Sequence, residues 1–175
     1  MRWVLTHGDI LDVPADVLVC SANVYLNLSG GVGGEILRRC GDAMQKELHG
    51  YLADHNLRFV KQGTVVPTAS GGTRFSAVLH AVAVDGFYQS SPAIIRQTVA
   101  TALTMATGLG ARRVALTALA TGYGRLSMRQ FAEGIRPLTE VEFPPLAETV
   151  VCVRHESERD ALMEGLLGCR NVSSR

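Results

Sequence analysis

Residues 20 to 36 read Cys-Ser-Ala-Asn-Val-Tyr-Leu-Asn-Leu-Ser-Gly-Gly-Val-Gly-Gly-Glu-Ile. An apolar strand over 16–21 runs into a glycine-rich loop and then into an amphipathic helix. Gly30, Gly31, Gly33 and Gly34 let the backbone take positive φ and approach a ligand closely. The open N–H groups of a helix N-terminus add donors and a dipole that favour an anion. The loop lacks the Gly-Lys-Ser/Thr ending of a nucleotide-hydrolase loop, and its glycines do not give G-x-G-x-x-G. A phosphate site of this kind needs a second loop elsewhere in the chain.

That loop belongs to a strand–helix alternation. Apolar runs over 3–6, 17–21, 77–84, 114–119 and 149–154 read as strands, and 63–67 as an edge strand, because Pro67 cannot donate to a ladder. Helical spacing is expected over 34–52, weakened by Gly41. A second helix should run over 92–107, with Ser91 as cap and Pro92 at its first position. Two more are expected over 127–138, capped by Ser127, and over 156–167. Long helical crossovers between strands imply a largely parallel sheet between helices, an α/β fold. The 175 residues, 47% apolar, suit one domain over 1–168 with a tail at 169–175 expected to fray.

A net charge of +1 gives no electrostatic footprint for long nucleic acid, though it leaves room for one charged small molecule. Cys20, Cys40, Cys152 and Cys169 show neither C-x-x-C nor His/Cys ligand spacing, so no metal site or disulfide framework is expected. The N-terminal run has no signal-peptide core, and no stretch approaches the ~20 apolar residues of a membrane span. A cytoplasmic location without membrane contact is the expectation.

In a parallel α/β sheet, ligands sit beyond the carboxyl ends of the strands. Three loops qualify: the one with Asn23 and the glycine run, the one over 85–91 with Asp85, Phe87 and Tyr88, and Ala120-Thr121-Gly122-Tyr123-Gly124-Arg125. The first and third carry glycines between a strand and a helix, so together they suit a diphosphate. His80, inside an apolar strand, reads as a core histidine rather than a base.

Gly8-Asp9-Ile10, 16–23, the 28–36 loop, Gly63-Thr64-Val65-Val66-Pro67-Thr68, Leu79-His80-Ala81-Val82 and Thr121-Gly122-Tyr123-Gly124, in this order and spacing, resemble the macro domain, an ADP-ribose-binding module. The resemblance implies a three-layer α/β/α sandwich with a mixed, mostly parallel sheet. It also implies a cleft for ADP-ribose, free or attached to protein or nucleic acid, with no cofactor. By motif, Asp9 resembles the acidic residue that accepts from the adenine amino group, with the Ile10 backbone beside it. A carboxylate only accepts and adenine N6 only donates, which agrees; a turn or cap residue after Gly8 is the competing reading. Asn23 resembles the asparagine at the distal ribose and is the one candidate catalytic residue. Gly30, Gly31, Val32, Gly33 and Gly34 are implied on one side of the diphosphate and distal ribose, and Thr121, Gly122, Tyr123 and Gly124 on the other.

By the same resemblance, hydrolytic macro domains of the best-known mono-ADP-ribosyl type are similar to Asn-Ala-Ala-Asn followed by Gly-Gly-Val-Asp-Gly, with that Asp helping to position or activate water. Here Cys20 replaces the first Asn and Gly33 the Asp, and glycine supplies no acid or base. Three functions stay open: hydrolysis of ADP-ribosyl esters or O-acetyl-ADP-ribose through another arrangement, a reader of ADP-ribose without turnover, and a module for RNA or another adenine nucleotide. Glu35 is a carboxylate near the loop, though one at a helix N-terminus ordinarily serves the dipole. Cys20, ending a buried strand, reads as packing rather than as a nucleophile.

Overall fold

The structure, a computed structural model, describes residues 1–174; Arg175, the last residue of the expected tail, lies outside the described residues. The chain order is β1 (Arg2–His7), β2 (Val17–Ser21), α1 (Gly31–Cys40), α2 (Ala43–Asp54), β3 (Val65–Ala69), β4 (Ala77–Ala81), α3 (Pro92–Gly108), β5 (Arg113–Thr117), α4 (Met128–Ile135), β6 (Glu148–Val153), α5 (Glu156–Gly165) and β7 (Val172–Ser174). Short 3-10 turns follow β1 at Ile10–Asp12 and α4 at Arg136–Glu140. The seven strands form one mixed sheet in the order β3-β4-β2-β5-β6-β1-β7. Every pairing is parallel except β3 with β4.

Alternating side chains divide the interior into two cores, one on each face of the sheet. Leu18, Cys20, Val78, Ala115 and Val150 point to the face covered by α1 and α2, where Ile36, Met44 and Leu48 meet them. Val17, Val19, Leu79, Val114, Leu116 and Val151 point to the other face, covered by Ile95, Val99 and Leu103 of α3, Phe131 of α4 and Leu162 of α5. The α/β/α sandwich therefore follows from central strands that are apolar on both sides. Truncation of a fully buried anchor such as Phe131 to Ala costs about 3–5 kcal/mol.

Three expectations need correction. The helix read over 34–52 is two helices, because Gly41 takes φ +78 and its N–H closes the first helix on the Leu37 carbonyl. The helix read over 127–138 stops at Ile135 and tightens into the 3-10 turn where Pro137 removes a backbone donor. Residues 172–174, in the stretch expected to fray, pair as β7 alongside β1, with Trp3 opposite Val172. Pro67 lies in the edge strand β3, where a missing N–H is tolerated.

Among the described residues no helix is long and apolar enough to cross a membrane.

Candidate functional site

The carboxyl ends of β2, β5 and β6 open into a cleft of about 760 Å3. Loop 1, between β2 and α1, contributes Asn23, Gly30, Gly31, Val32 and Gly33. Loop 2, between β4 and α3, contributes Ala83, Val84 and Tyr88; loop 3, between β5 and α4, contributes Thr121, Gly122, Tyr123 and Gly124. The end of β6 and the start of α5 add Cys152, Val153, Arg154 and Glu158. A smaller hollow of about 350 Å3 holds Asp9 and shares Cys152 with the main cleft, so the two adjoin.

Loop 1 delivers backbone rather than side chains. Gly31 begins α1 at φ +55, and Gly30 at the cap position offers no side-chain oxygen to the first turn. The opening N–H groups of α1 are thus left without a side-chain acceptor at the cleft. The starts of α3 and α4 differ, since Ser91 and Ser127 accept from Ile94 and Gln130 N–H. Gly33 is buried, and a Cβ there would sit 3.1 Å from Leu28 Cδ2 and 3.3 Å from Leu28 Cα. The position therefore lacks a carboxylate and has little room for one.

Asn23 is occupied by its own loop. Its Oδ1 accepts from Tyr25 N–H at 3.0 Å and Asn27 N–H at 3.2 Å, and its Nδ2 donates to the Asn27 carbonyl at 3.1 Å. Loop 3 is held as tightly: Thr121 Oγ1 donates to the Ala118 carbonyl at 2.8 Å, and Leu126 N–H to the Ala120 carbonyl at 3.0 Å. A Cβ on Gly124 would fall 2.6 Å from that Ala120 oxygen, so only glycine permits the turn. Leu26, Tyr88, Ala120 and Arg125 hold positive φ, an unfavourable conformation for side-chain-bearing residues that is concentrated in the loops around this cleft.

The loops also touch one another. A Cβ on Gly30 would lie 2.9 Å from Tyr123 Oη, so the Tyr123 ring already rests over loop 1. Tyr88 approaches the same ring with centroids 6.0 Å apart. Loops 1, 2 and 3 thereby meet over the cleft.

Asp9 both caps and pairs. Its Oδ1 accepts from Leu11 N–H at 2.9 Å, as the cap reading implies, and its Oδ2 meets Arg39 of α1. Each carboxylate oxygen retains a further lone pair for a ligand donor. Arg39 also binds Glu35, which Arg38 grips at 2.6 Å and 3.0 Å. Hydrogen bonds from Arg38 and then Arg39 hold the Glu35 carboxyl down at about 2, so it is an ionised tie on the helix surface. Glu35, Gly34 and Ile10 do not line either hollow; Gly34 N–H bonds the Gly30 carbonyl, and the Ile10 side chain is buried in the core.

Beneath loop 1, β2 and β4 place Cys20 opposite His80 in register. Sequence distance hides this neighbour, whereas parallel pairing of the two strands reveals it. Cys20 Sγ lies 3.6 Å from His80 Nδ1, and His80 Nε2 lies 3.1 Å from Thr68 Oγ1, which donates to the Val78 carbonyl at 3.5 Å. The chain is consistent with a neutral imidazole that donates from Nε2 and accepts the thiol at Nδ1. Burial pushes the thiol up to about 12 and the imidazole down to about 4. All three groups are buried, so they fill the core and contact no substrate.

Arg154, Glu158, Cys152 and Val153 escaped the sequence reading. They follow from the rule already applied to the other loops, since β6 is parallel to β5 and β1 and its carboxyl end opens the same way. Glu158 Oε2 accepts Arg154 and His155 N–H at 3.0 Å each and fixes the start of α5. Burial, then Asp9, pushes the Cys152 thiol up to about 11. Among the described residues there is no group of His, Cys, Asp or Glu able to hold a metal ion.

The architecture is thus an α/β/α sandwich with a backbone-lined cleft at its carboxyl edge. The macro domain family profile matches residues 19–135, and the chain belongs to that family. A Pyrobaculum aerophilum protein is 36% identical over 119 residues, which cover 68% of this chain and 64% of that protein. A macro domain-containing protein of Streptomyces griseus is 33% identical over 149 residues, 79% of this chain and 84% of that one. Among solved structures, the Oceanobacillus iheyensis macrodomain with MES bound superposes with TM-score 0.79 at 19% identity, covering 91% of this chain and 87% of that one. The Trypanosoma brucei macrodomain in complex with ADP-ribose gives 0.76 at 21%, covering 93% and 68%.

Proposed function

We propose that this chain binds ADP-ribose as a reader, without turning it over. The adenine occupies the Asp9 hollow, with its amino group donating to the carboxylate. The diphosphate crosses the Cys152 junction between the N–H groups of 31–33 and the turn at 122–124. The distal ribose lies beneath Tyr123, beside loop 1. A ligand seen in the Trypanosoma brucei relative supports the choice of ADP-ribose, and the continuity of the two hollows through Cys152 carries it.

The reader assignment rests on the side chains around the cleft. Gly33 brings no carboxylate, Leu28 crowds the space a longer residue needs, Asn23 is engaged by its loop and Glu158 is held through Oε2 at the start of α5. General acid–base chemistry needs a titrating group within reach of the scissile bond, and these groups are committed elsewhere. Titration calorimetry with ADP-ribose should show saturable heat. Incubation of an ADP-ribosylated protein, or of O-acetyl-ADP-ribose, with saturating protein should leave the linkage intact. No heat at millimolar ligand contradicts the binding; turnover that disappears in Asn23→Ala contradicts the reader assignment.

A further inference from the structure

Two helices begin at the walls of the same cleft, and their starts are built in opposite ways. At α1, Gly30 brings no side-chain acceptor to the opening N–H groups, so those donors are left for an anion. At the start of α5, Glu158 Oε2 accepts Arg154 N–H and His155 N–H at 3.0 Å each. A carboxylate already occupies the position that an anion would take there. Glu158 is half-buried and lines the cleft together with Cys152, Val153 and Arg154. Its second oxygen, Oε1, has no partner among the described residues.

That contrast gives the cleft a polarity. Phosphates are favoured on the loop 1 side, whereas the β6 side repels them and takes hydroxyl donors, because an ionised carboxylate accepts hydrogen bonds and has no proton to give. Asp9, in the adjoining hollow, adds negative charge on this side. Glu156 and Asp160 are tied to Arg159 and line neither hollow. Arg154 shares the wall with Glu158, but it is exposed. Water and salt screen an exposed guanidinium more than a half-buried carboxylate, so Glu158 sets the local field.

We propose that Glu158 determines specificity at the sugar next to the base. Its Oε1 accepts a hydrogen bond from the 2′-hydroxyl of the adenosine ribose, and the site therefore selects ADP-ribose over ADP-ribose phosphorylated at that oxygen. The proposal rests on the function and ligand orientation inferred above, since the adenosine ribose joins the base in the Asp9 hollow to the diphosphate at Cys152 and so passes the end of β6. A 2′-phosphate there sets further negative charge against the Glu158 carboxylate and finds the first amides of α5 already taken.

The test is titration calorimetry with ADP-ribose, its adenosine 2′-phosphate and its adenosine 2′-deoxy analogue, on wild type, Glu158→Gln and Arg154→Ala. Gln keeps a carbonyl oxygen for the Arg154 and His155 N–H groups, so α5 should stay capped and circular dichroism unchanged. Wild type should bind each analogue about tenfold or more weaker than ADP-ribose, the value of a charge-assisted hydrogen bond. The margin over the 2′-phosphate should shrink as salt rises. Glu158→Gln should remove most of that margin, and Arg154→Ala should leave it in place. Equal affinity of wild type for ADP-ribose and either analogue overturns the proposal, as does an undiminished margin in Glu158→Gln. Tighter binding of the 2′-phosphate than of ADP-ribose, lost in Arg154→Ala, overturns it and makes Arg154 the determinant. Failure of ADP-ribose to bind at all refutes instead the function on which the proposal stands.

Discussion

Two neighbouring regions divide between them what an enzyme needs in one place. The interior of β2, β3 and β4 holds Cys20, His80 and Thr68 in a hydrogen-bonded row, residue types that elsewhere perform nucleophilic catalysis, but all three are buried. A few residues along the same strands, the cleft has access and volume but is walled by glycines, backbone amides and a few committed polar groups. Reactive residue types without access lie next to an accessible cleft walled largely by backbone. Under the proposed reader function, such a cleft would recognise shape and charge chiefly through backbone donors that do not titrate.

Gly31→Glu should break the cleft side of the contrast most completely. It forces a side chain onto a backbone at φ +55 and sets a carboxylate against the diphosphate, so calorimetric heat with ADP-ribose should vanish while the fold persists by circular dichroism. On the interior side, the folded-state pKa of His80 is depressed to about 4 from 6.5. Its neutral form contributes fully above pH 6.5, and that contribution is lost as pH falls through 6.5 toward 4, because the unfolded chain then binds the extra proton. The loss amounts to about 3 kcal/mol. Denaturant titrations of His80→Leu should show a flatter acid limb than wild type over that window, with ADP-ribose affinity at neutral pH unchanged.

Asp9→Ala should weaken ADP-ribose binding by about ten- to a hundredfold, the value of one charge-assisted hydrogen bond at about 1.5–3 kcal/mol. Gly33→Asp sharpens the comparison differently, because it adds a carboxylate to a cleft wall where glycine supplies none. The overlap with Leu28 should cost about 1–3 kcal/mol of stability, measurable as a lower denaturation midpoint, and mass spectrometry should detect no turnover. The smallest effect belongs to Arg39→Ala. Its pair with Asp9 is about one-third exposed on each side, so affinity should fall only about twofold to fivefold.

The strands were legible because central β2, β4 and β5 are apolar on both faces and leave no ambiguity about burial. Helix ends were less so. Gly41 reads as a weak spot within one helix, yet its positive φ ends α1 altogether, and that choice depends on how α1 and α2 share one face of the sheet. β7 was illegible because 172–174 carry only one apolar residue, Val172, and the strand exists by completing the open edge of β1. Loops 1 and 3 announced themselves through their glycines. Arg154 and Glu158 did not, because nothing in their local sequence marks a site; their place follows only from β6 running parallel beside β5. The Cys20–His80 contact was hidden in the same way, as a pairing between strands far apart in the chain.

A crystal structure with ADP-ribose tests the central claim most directly. The account predicts the adenine amino group at the Asp9 carboxylate, diphosphate oxygens within hydrogen-bond distance of the N–H groups of 31–33 and of the loop 3 turn, and an intact ligand with no titratable side chain at C1″. A diphosphate bound outside the glycine loops, or a carboxylate or imidazole brought against C1″, would contradict it.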